Sequence, residues 1–330
     1  MIYSLFLESN FILIMKKILL FFIYLFVSNC FSKDFTEVDE IVRKYPSKVS
    51  SLETIGNLIK KDFVSDSEKA RAIYSWLAFN FKYDTATSGN NAFEIIYTAT
   101  TQGEKDAKEK RIKDDIIAKA LTSDAAMCLG YSIMFERLGN LVGLKNEIVV
   151  GDLKSDLSQL GVTFHVADHS WNAVKINDEW KYVDVTLAAG FISQKDNSFK
   201  PDFNDAYFFI AEEVLLLSHF PQNKKWISTN KTIKDFAKLP IYYRDYFSKN
   251  YSINPSEGVI LVKENPSLIL EIKNLDEYDR AEYVFSNENK LIYLNNDNKE
   301  TVFEISLDGR SGEYLSIYID RKIMVSYLIK

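Results

Sequence analysis

Cysteine is almost missing from this chain: its 330 residues hold two, Cys30 and Cys128. A disulfide-stapled scaffold is thereby excluded, because Cys30 lies in a segment that reads as an export signal. A basic surplus is also missing. The net charge is −6, and no stripe of Lys and Arg is available to neutralise phosphates, which argues against a nucleic-acid partner. No block of like charge is long enough to serve as an interaction tail. Metal-ligand spacing is missing too. His165-Val166-Ala167-Asp168-His169 sets two imidazoles four apart, but Val166 stands where the metalloprotease motif needs Glu. No further Cys or His ligand lies near them, so neither a metal nor a cofactor is expected, and His165 reads as a loop residue.

What remains is an ordinary globular composition with many aromatics, 19 Tyr and 23 Phe, which suits strand-rich cores and extended grooves. The N-terminus carries an export pattern. Met15-Lys16-Lys17 precedes the apolar run Ile18 to Val27, and Ser28-Asn29-Cys30-Phe31-Ser32 supplies small residues for a cut after Ser32. Met15 then reads as the start, with residues 1–14 an upstream extension. The rival reading lipidates Cys30, although Asn29 fits a lipobox poorly; a retained anchor ranks third. The run alone falls short of the ~20 residues of a membrane span. The expected location is therefore exported, periplasmic or extracellular, with no stable span after cleavage. Association with the cell envelope is compatible with this.

Along the chain, Val38, Ile41, Val42, Leu52, Ile55, Leu58 and Ile59 predict helix over 35–62. Ser65-x-x-Glu68 is a capping box, and Ala70, Ile73, Tyr74, Leu77, Ala78 and Phe81 form a stripe of period 3.6. Residues 100–115 are charged and read as a solvated loop and helix face. A helix starting near Cys128 carries Tyr131, Met134, Phe135, Leu138, Leu141 and Val142, and stops at Gly143. Residues 207–217 read as helical. From about residue 250 short β runs recur, such as 268–272, 302–305, 314–319 and 324–329, suggesting a β-sandwich of immunoglobulin-like size.

A thiol at a helix start is chemically suggestive. Unpaired N–H groups and the positive end of the helix dipole favour a thiolate there, and the Cys128 N–H suits a developing oxyanion. Downstream, a two-residue turn at Asn177-Asp178 would pair Ile176 with Glu179. Counting outward, His169, Trp171, Tyr182 and Asp184 then share a face, with His169 a diagonal neighbour of Asp184. Cys128, His169 and Asp184 are thus the candidate nucleophile, base and orienting carboxylate. Trp171 and Trp180 read as core or groove wall.

Cys128-Leu129-Gly130-Tyr131-Ser132, His169-Ser170-Trp171-Asn172-Ala173-Val174 and Trp180 to Thr186 resemble the core of the transglutaminase-like superfamily. Residues 72–84 resemble the helix preceding that core. Tyr207 to Ile210, Ser218-His219-Phe220-Pro221 and Trp226 look like the kyphoscoliosis-peptidase branch. The likeness covers about residues 65–230. It implies an α+β, papain-like fold for the catalytic domain, 33–249; the signal peptide, 1–32, and the β-sandwich, 250–330, come from the residue patterns above and lie outside the likeness. It also implies the triad roles above, with His219 packing rather than reacting. Ala126 stands where many members have Gly, which would narrow the approach to the thiol; no calcium-binding acidic cluster is evident. The implied function is an exported cysteine enzyme acting on peptide or protein amide bonds through a thioester on Cys128, foremost a peptidase or amidohydrolase. The alternatives are a protein-glutamine acyltransferase and a non-catalytic binding module that keeps the fold.

Overall fold

Pro46 divides the helix expected over 35–62 into α1 (Thr36–Val42) and α2 (Leu52–Asp62). Proline lacks an N–H and keeps its predecessor out of helical geometry. The chain therefore restarts at Ser51, whose hydroxyl accepts from Glu53 N. The structure is a computed structural model that describes residues 34–85, 98–193, 195–264, 266–294 and 301–330. Residues 1–33, on which the expected export signal and Cys30 fall, lie outside the described residues.

The Ser65 capping box forms as predicted, with Ser65 Oγ and the Glu68 carboxylate each accepting the other's backbone N–H. It opens α3 (Asp66–Asn80), whose Ala70, Ile73, Tyr74 and Leu77 are buried. β1 (Lys82–Tyr83) follows. The charged stretch from residue 100 is largely one long helix, α4 (Gln102–Ser123), with Ile117 and Ala120 turned inward. β2 (Ala125–Ala126) pairs with β1 in parallel, setting Tyr83 beside Ala126. The next helix, α5 (Cys128–Leu141), is closed by Gly143 at φ +84°, a left-handed stop that glycine adopts without strain.

β3 (Asn146–Leu153), β4 (His169–Ile176) and β5 (Glu179–Val183) form the centre of an antiparallel sheet ordered β8 (Phe208–Ile210), β5, β4, β3, β9 (His219–Pro221). The turn at Asn177-Asp178 has two residues, both with positive φ, and Ile176 faces Glu179 as expected. After β5 come α6 (Val185–Ala189) and a hairpin of β6 (Gly190–Ile192) and β7 (Phe199–Pro201). The helix expected over 207–217 is instead β8 (Phe208–Ile210) and the single turn α7 (Glu212–Leu215). Pairing of Phe208 with Val183 and Ile210 with Tyr182 claims that segment for the sheet, so tertiary pairing overrides local periodicity. β9 (His219–Pro221) closes the sheet's other edge on β3. α5 packs on β4 and β3 and meets α2, α3 and α4 with its remaining faces. That explains why nearly all of its side chains are buried.

Beyond α8 (Ile233–Lys238) the chain is mainly β. β10 (Ile241–Tyr242) leads into α9 (Arg244–Phe247), and then β11 (Ser252–Asn254), β12 (Val259–Ile260) and β13 (Ser267–Lys273) follow. They are succeeded by β14 (Ala281–Phe285), β15 (Ile292–Tyr293), β16 (Val302–Ser306), β17 (Tyr314–Ile319) and β18 (Lys322–Ile329). One sheet runs β10-β18-β17-β14-β15, with β12 alongside β18; the other runs β11-β13-β16. Alternate residues of β13, β16 and β17 are buried, and Leu270, Ile305, Ile317 and Tyr327 share one apolar core between the sheets. This is a β-sandwich, and with the helix-backed sheet before it the chain is α+β. Among the described residues no helix is long and apolar enough to cross a membrane.

Candidate active site

Three chain segments converge at one end of the central sheet. His169 is the first residue of β4, Asp184 follows the last residue of β5, and His219 opens β9 opposite Leu153. Cys128 reaches them from the first position of α5. The helix is fastened to the sheet by buried polar contacts: Asn172 Nδ2 donates to Ser132 O at 3.0 Å, and Ser132 Oγ donates to Ser170 Oγ at 3.3 Å. At its other side, Tyr131 Oη donates to Phe81 O at 2.8 Å. These bonds fix the height of Cys128 against His169. Met127, at the N-cap, contributes no side-chain hydrogen bond, so the donors at the start of α5 receive none from that side chain.

Asp184 has two tasks. Its Oδ1 accepts from Leu187 N at 3.0 Å, capping α6, while Oδ2 accepts from His169 Nε2 at 2.6 Å. His169 Nδ1 is thereby left unengaged by Asp184, and the Cys128 side chain lies near enough to favour the charged ring. Cys128, His169 and Asp184 are buried to 1%, 4% and 0% exposure. Burial disfavours a charged His169, but the Asp184 carboxylate and the Cys128 side chain outweigh it and push the ring up to about 10. For Asp184 burial likewise works against charge, and the two imidazoles override it, holding the carboxyl well below the usual carboxylate range. The side chains that the sequence singled out are therefore neighbours.

His219, expected from the resemblance to pack rather than react, is fully buried and also hydrogen-bonds the site. Its Nε2 donates to the same Asp184 Oδ2 at 3.0 Å, and Ser218 Oγ lies 2.9 Å from its Nδ1. With the serine donating to Nδ1, the ring is a neutral Nε2–H tautomer. Burial pushes its pKa down, consistent with that form. Nothing in sequence spacing signals this, because His219 lies 35 residues past Asp184 and arrives only through β9–β3 pairing. The ligand atoms of His169, Asp184 and His219 lie within 4.8 Å of one another, a separation the two hydrogen bonds account for.

The ring of Trp171 stacks beside His169, 6.0 Å between centroids at 25°, and meets His219 edge-on at 5.1 Å. Trp171 is wholly buried, so it is wall rather than surface. A Cβ at Gly151 would fall 2.3 Å from Phe220 O and 2.7 Å from the Trp171 ring, which is why glycine stands there. His165 is not on a helix with His169. Its Nδ1 lies 2.5 Å from Asp152 Oδ2, and Val166 N and Ala167 N donate to Asp152 Oδ1. Buried Asp152 thus pins the loop that leads into β4. The methyl of Ala126 faces Gly130: a Cβ on that glycine would approach it to 2.9 Å.

Such a thiol, imidazole and carboxylate can carry acyl transfer. The imidazole moves a proton between sulfur and a leaving group, and the carboxylate fixes its tautomer. No family model matches the chain. The human kyphoscoliosis peptidase is 25% identical over 232 residues, 69% of this chain and 32% of that protein. The mouse protein of that name is 25% identical over 230 residues. Cytokinesis protein 3 of Saccharomyces cerevisiae is 29% identical over 159 residues, 44% of this chain and 18% of that one. The chain therefore spans about a third of the length of the two peptidases. Among solved structures, the crystal structure of a TGase is 19% identical, covering 57% of this chain and 42% of that one, at a TM-score of 0.28. The (BACCR)NAT3 arylamine N-acetyltransferase from Bacillus cereus, with a Cys-His-Glu triad, is 12% identical, covering 51% and 53%, at 0.29. The chain is thus distantly similar to the kyphoscoliosis peptidases over about two thirds of its own length.

Proposed function

We propose that this chain is a thiol-dependent amide hydrolase acting on peptides or proteins, with Cys128 as nucleophile, His169 as proton carrier and Asp184 as positioning carboxylate. The observation that carries this is the buried chain of contacts from Asp184 through His169 to Cys128 at a helix start. Cys128 Sγ attacks the carbonyl carbon, and the C–N bond breaks as His169 hands its proton to the leaving amine. A thioester remains. Water then attacks it with His169 taking the proton, the C–S bond breaks, and a carboxylic acid leaves. The Cys128 N–H, at the first position of α5, is placed to donate to the oxyanion. Residues 33–249 would carry the chemistry and 250–330 the appended sandwich. Residues 15–32 would direct export to the periplasm or exterior.

The test is to incubate the chain with glutamine-containing peptides, with and without an added amine, and to weigh the products. Peptide cleavage or loss of ammonia supports hydrolysis; amine incorporation supports acyl transfer instead. An acid quench should trap the acyl group on Cys128, and Cys128→Ala and His169→Ala should abolish turnover. Slow alkylation of Cys128 by iodoacetamide, indifferent to His169→Ala, would refute the catalytic reading and favour a binding module.

A further inference from the structure

A cavity of about 480 Å³ opens against His169, within the ~300–1,000 Å³ range of small-molecule sites. Its aromatic wall comes mainly from three parts of the chain. Tyr83 comes from β1, Phe191 and Phe199 from the β6–β7 hairpin, and Tyr243, Arg244 and Phe247 from the segment entering the sandwich. Phe191 is 45% exposed, so part of its ring stays open to an incoming group.

The charges in the wall are all of one sign and already engaged. Lys154 Nζ donates to the carbonyls of Phe236, Ala237 and Leu239, holding the end of α8. The Arg244 guanidinium binds Leu187 O and both Asp202 Oδ2 and Asp202 O. Among the described residues no aspartate or glutamate lines the cavity. An ammonium placed there would meet two cations and no carboxylate, while an apolar ring would meet other rings.

Which side of the reacting amide faces this cavity follows from which residue opens on it. His169 is among the lining residues and Cys128 is not. The carbonyl carbon must bond to Cys128, and the amine must collect its proton from His169. A cavity reached at His169 therefore lies on the amine side. We propose that it binds an apolar or aromatic side chain of the residue supplying the amide nitrogen, and that it rejects lysine there. The proposal rests on the thioester chemistry assigned to Cys128 and narrows its substrate: a bulky apolar residue after the reacting bond, and a poor match for a lysine acceptor.

The test is calorimetric binding of phenylalanine amide, leucine amide and lysine amide to the full chain and to Cys128→Ala at pH 8. Phenylalanine and leucine amides should bind at least ~10-fold more tightly than lysine amide, the discrimination expected of an apolar pocket. Phe191→Ala and Tyr243→Ala should each shrink that ratio. Equal affinities, tighter lysine binding or no binding by any amide would overturn the proposal. Binding does not need a reactive thiol, so the outcome is separate from iodoacetamide labelling. Labelling that depends on His169 alongside unselective binding overturns the pocket alone. Selective binding alongside an ordinary thiol overturns the chemistry and leaves the pocket standing.

Discussion

Replacing Asp184 by Asn keeps the shape of the side chain and its ability to cap α6, since Asn and Asp are comparable caps, but removes the charge that both imidazoles share. The size of the effect follows from His169. Its ring is raised from 6.5 to about 10, which at ~1.36 kcal/mol per pH unit is about 5 kcal/mol in favour of the charged form. Burial opposes that charge, so without the carboxylate the ring should lose its proton below pH 7. Turnover should fall by roughly 10,000-fold, as when a triad loses its orienting carboxylate. Stability changes with a definite sign. The raised His169 value makes its contribution complete below pH ~6.5 and lost as pH climbs through about 10. The depressed Asp184 value makes its contribution complete above 3.8 and lost only on strong acidification. The native chain should therefore melt highest between about pH 4 and 6.5 and weaken toward pH 10, and Asp184→Asn should lack that alkaline decline. With three histidines in the chain, ring-proton NMR can follow His169 directly beside melting curves. A wild-type His169 that titrates near 6.5, or an Asp184→Asn melting profile parallel to wild type from pH 7 to 10, would refute the reasoning.

Two other perturbations test the neighbouring structure. Gly130→Ala forces a methyl to within 2.9 Å of Ala126 Cβ and should cost about 1–3 kcal/mol in urea unfolding; adding Ala126→Gly should restore most of it, and an additive double variant would contradict the contact. His219→Phe removes one donor from Asp184 Oδ2, so the Asp184 carboxyl should rise by about one unit, read as the acid limb of its own NMR titration. His219→Gln, which can still donate, should recover part of that shift, whereas a purely packing role would lower stability and leave the limb unmoved.

The helix at Ser65 and the stop at Gly143 were readable because the capping and left-handed stop are local chemistry. The register of β4 on β5 was readable for a similar reason. A two-residue turn at Asn177-Asp178 leaves no freedom in which residues face each other, and His169 and Asp184 followed from parity. Local rules failed where a distant partner claimed the segment. Phe208 to Ile210 pair with β5 although their own periodicity suits a helix; the break at Pro46, by contrast, is local chemistry that apolar spacing alone passes over.

Residue types along the chain already set out the three chemical groups, their order and a thiol at a helix start. They do so because side-chain type, caps and turns act over a few residues. Only the tertiary structure decided the second imidazole on Asp184, the fastening of α5 to β4, and the aromatic cavity that the β6–β7 hairpin and the approach to the sandwich build beside His169. Those depend on chain segments that meet across strand pairings and domain packing, where spacing along the sequence carries no distance in space.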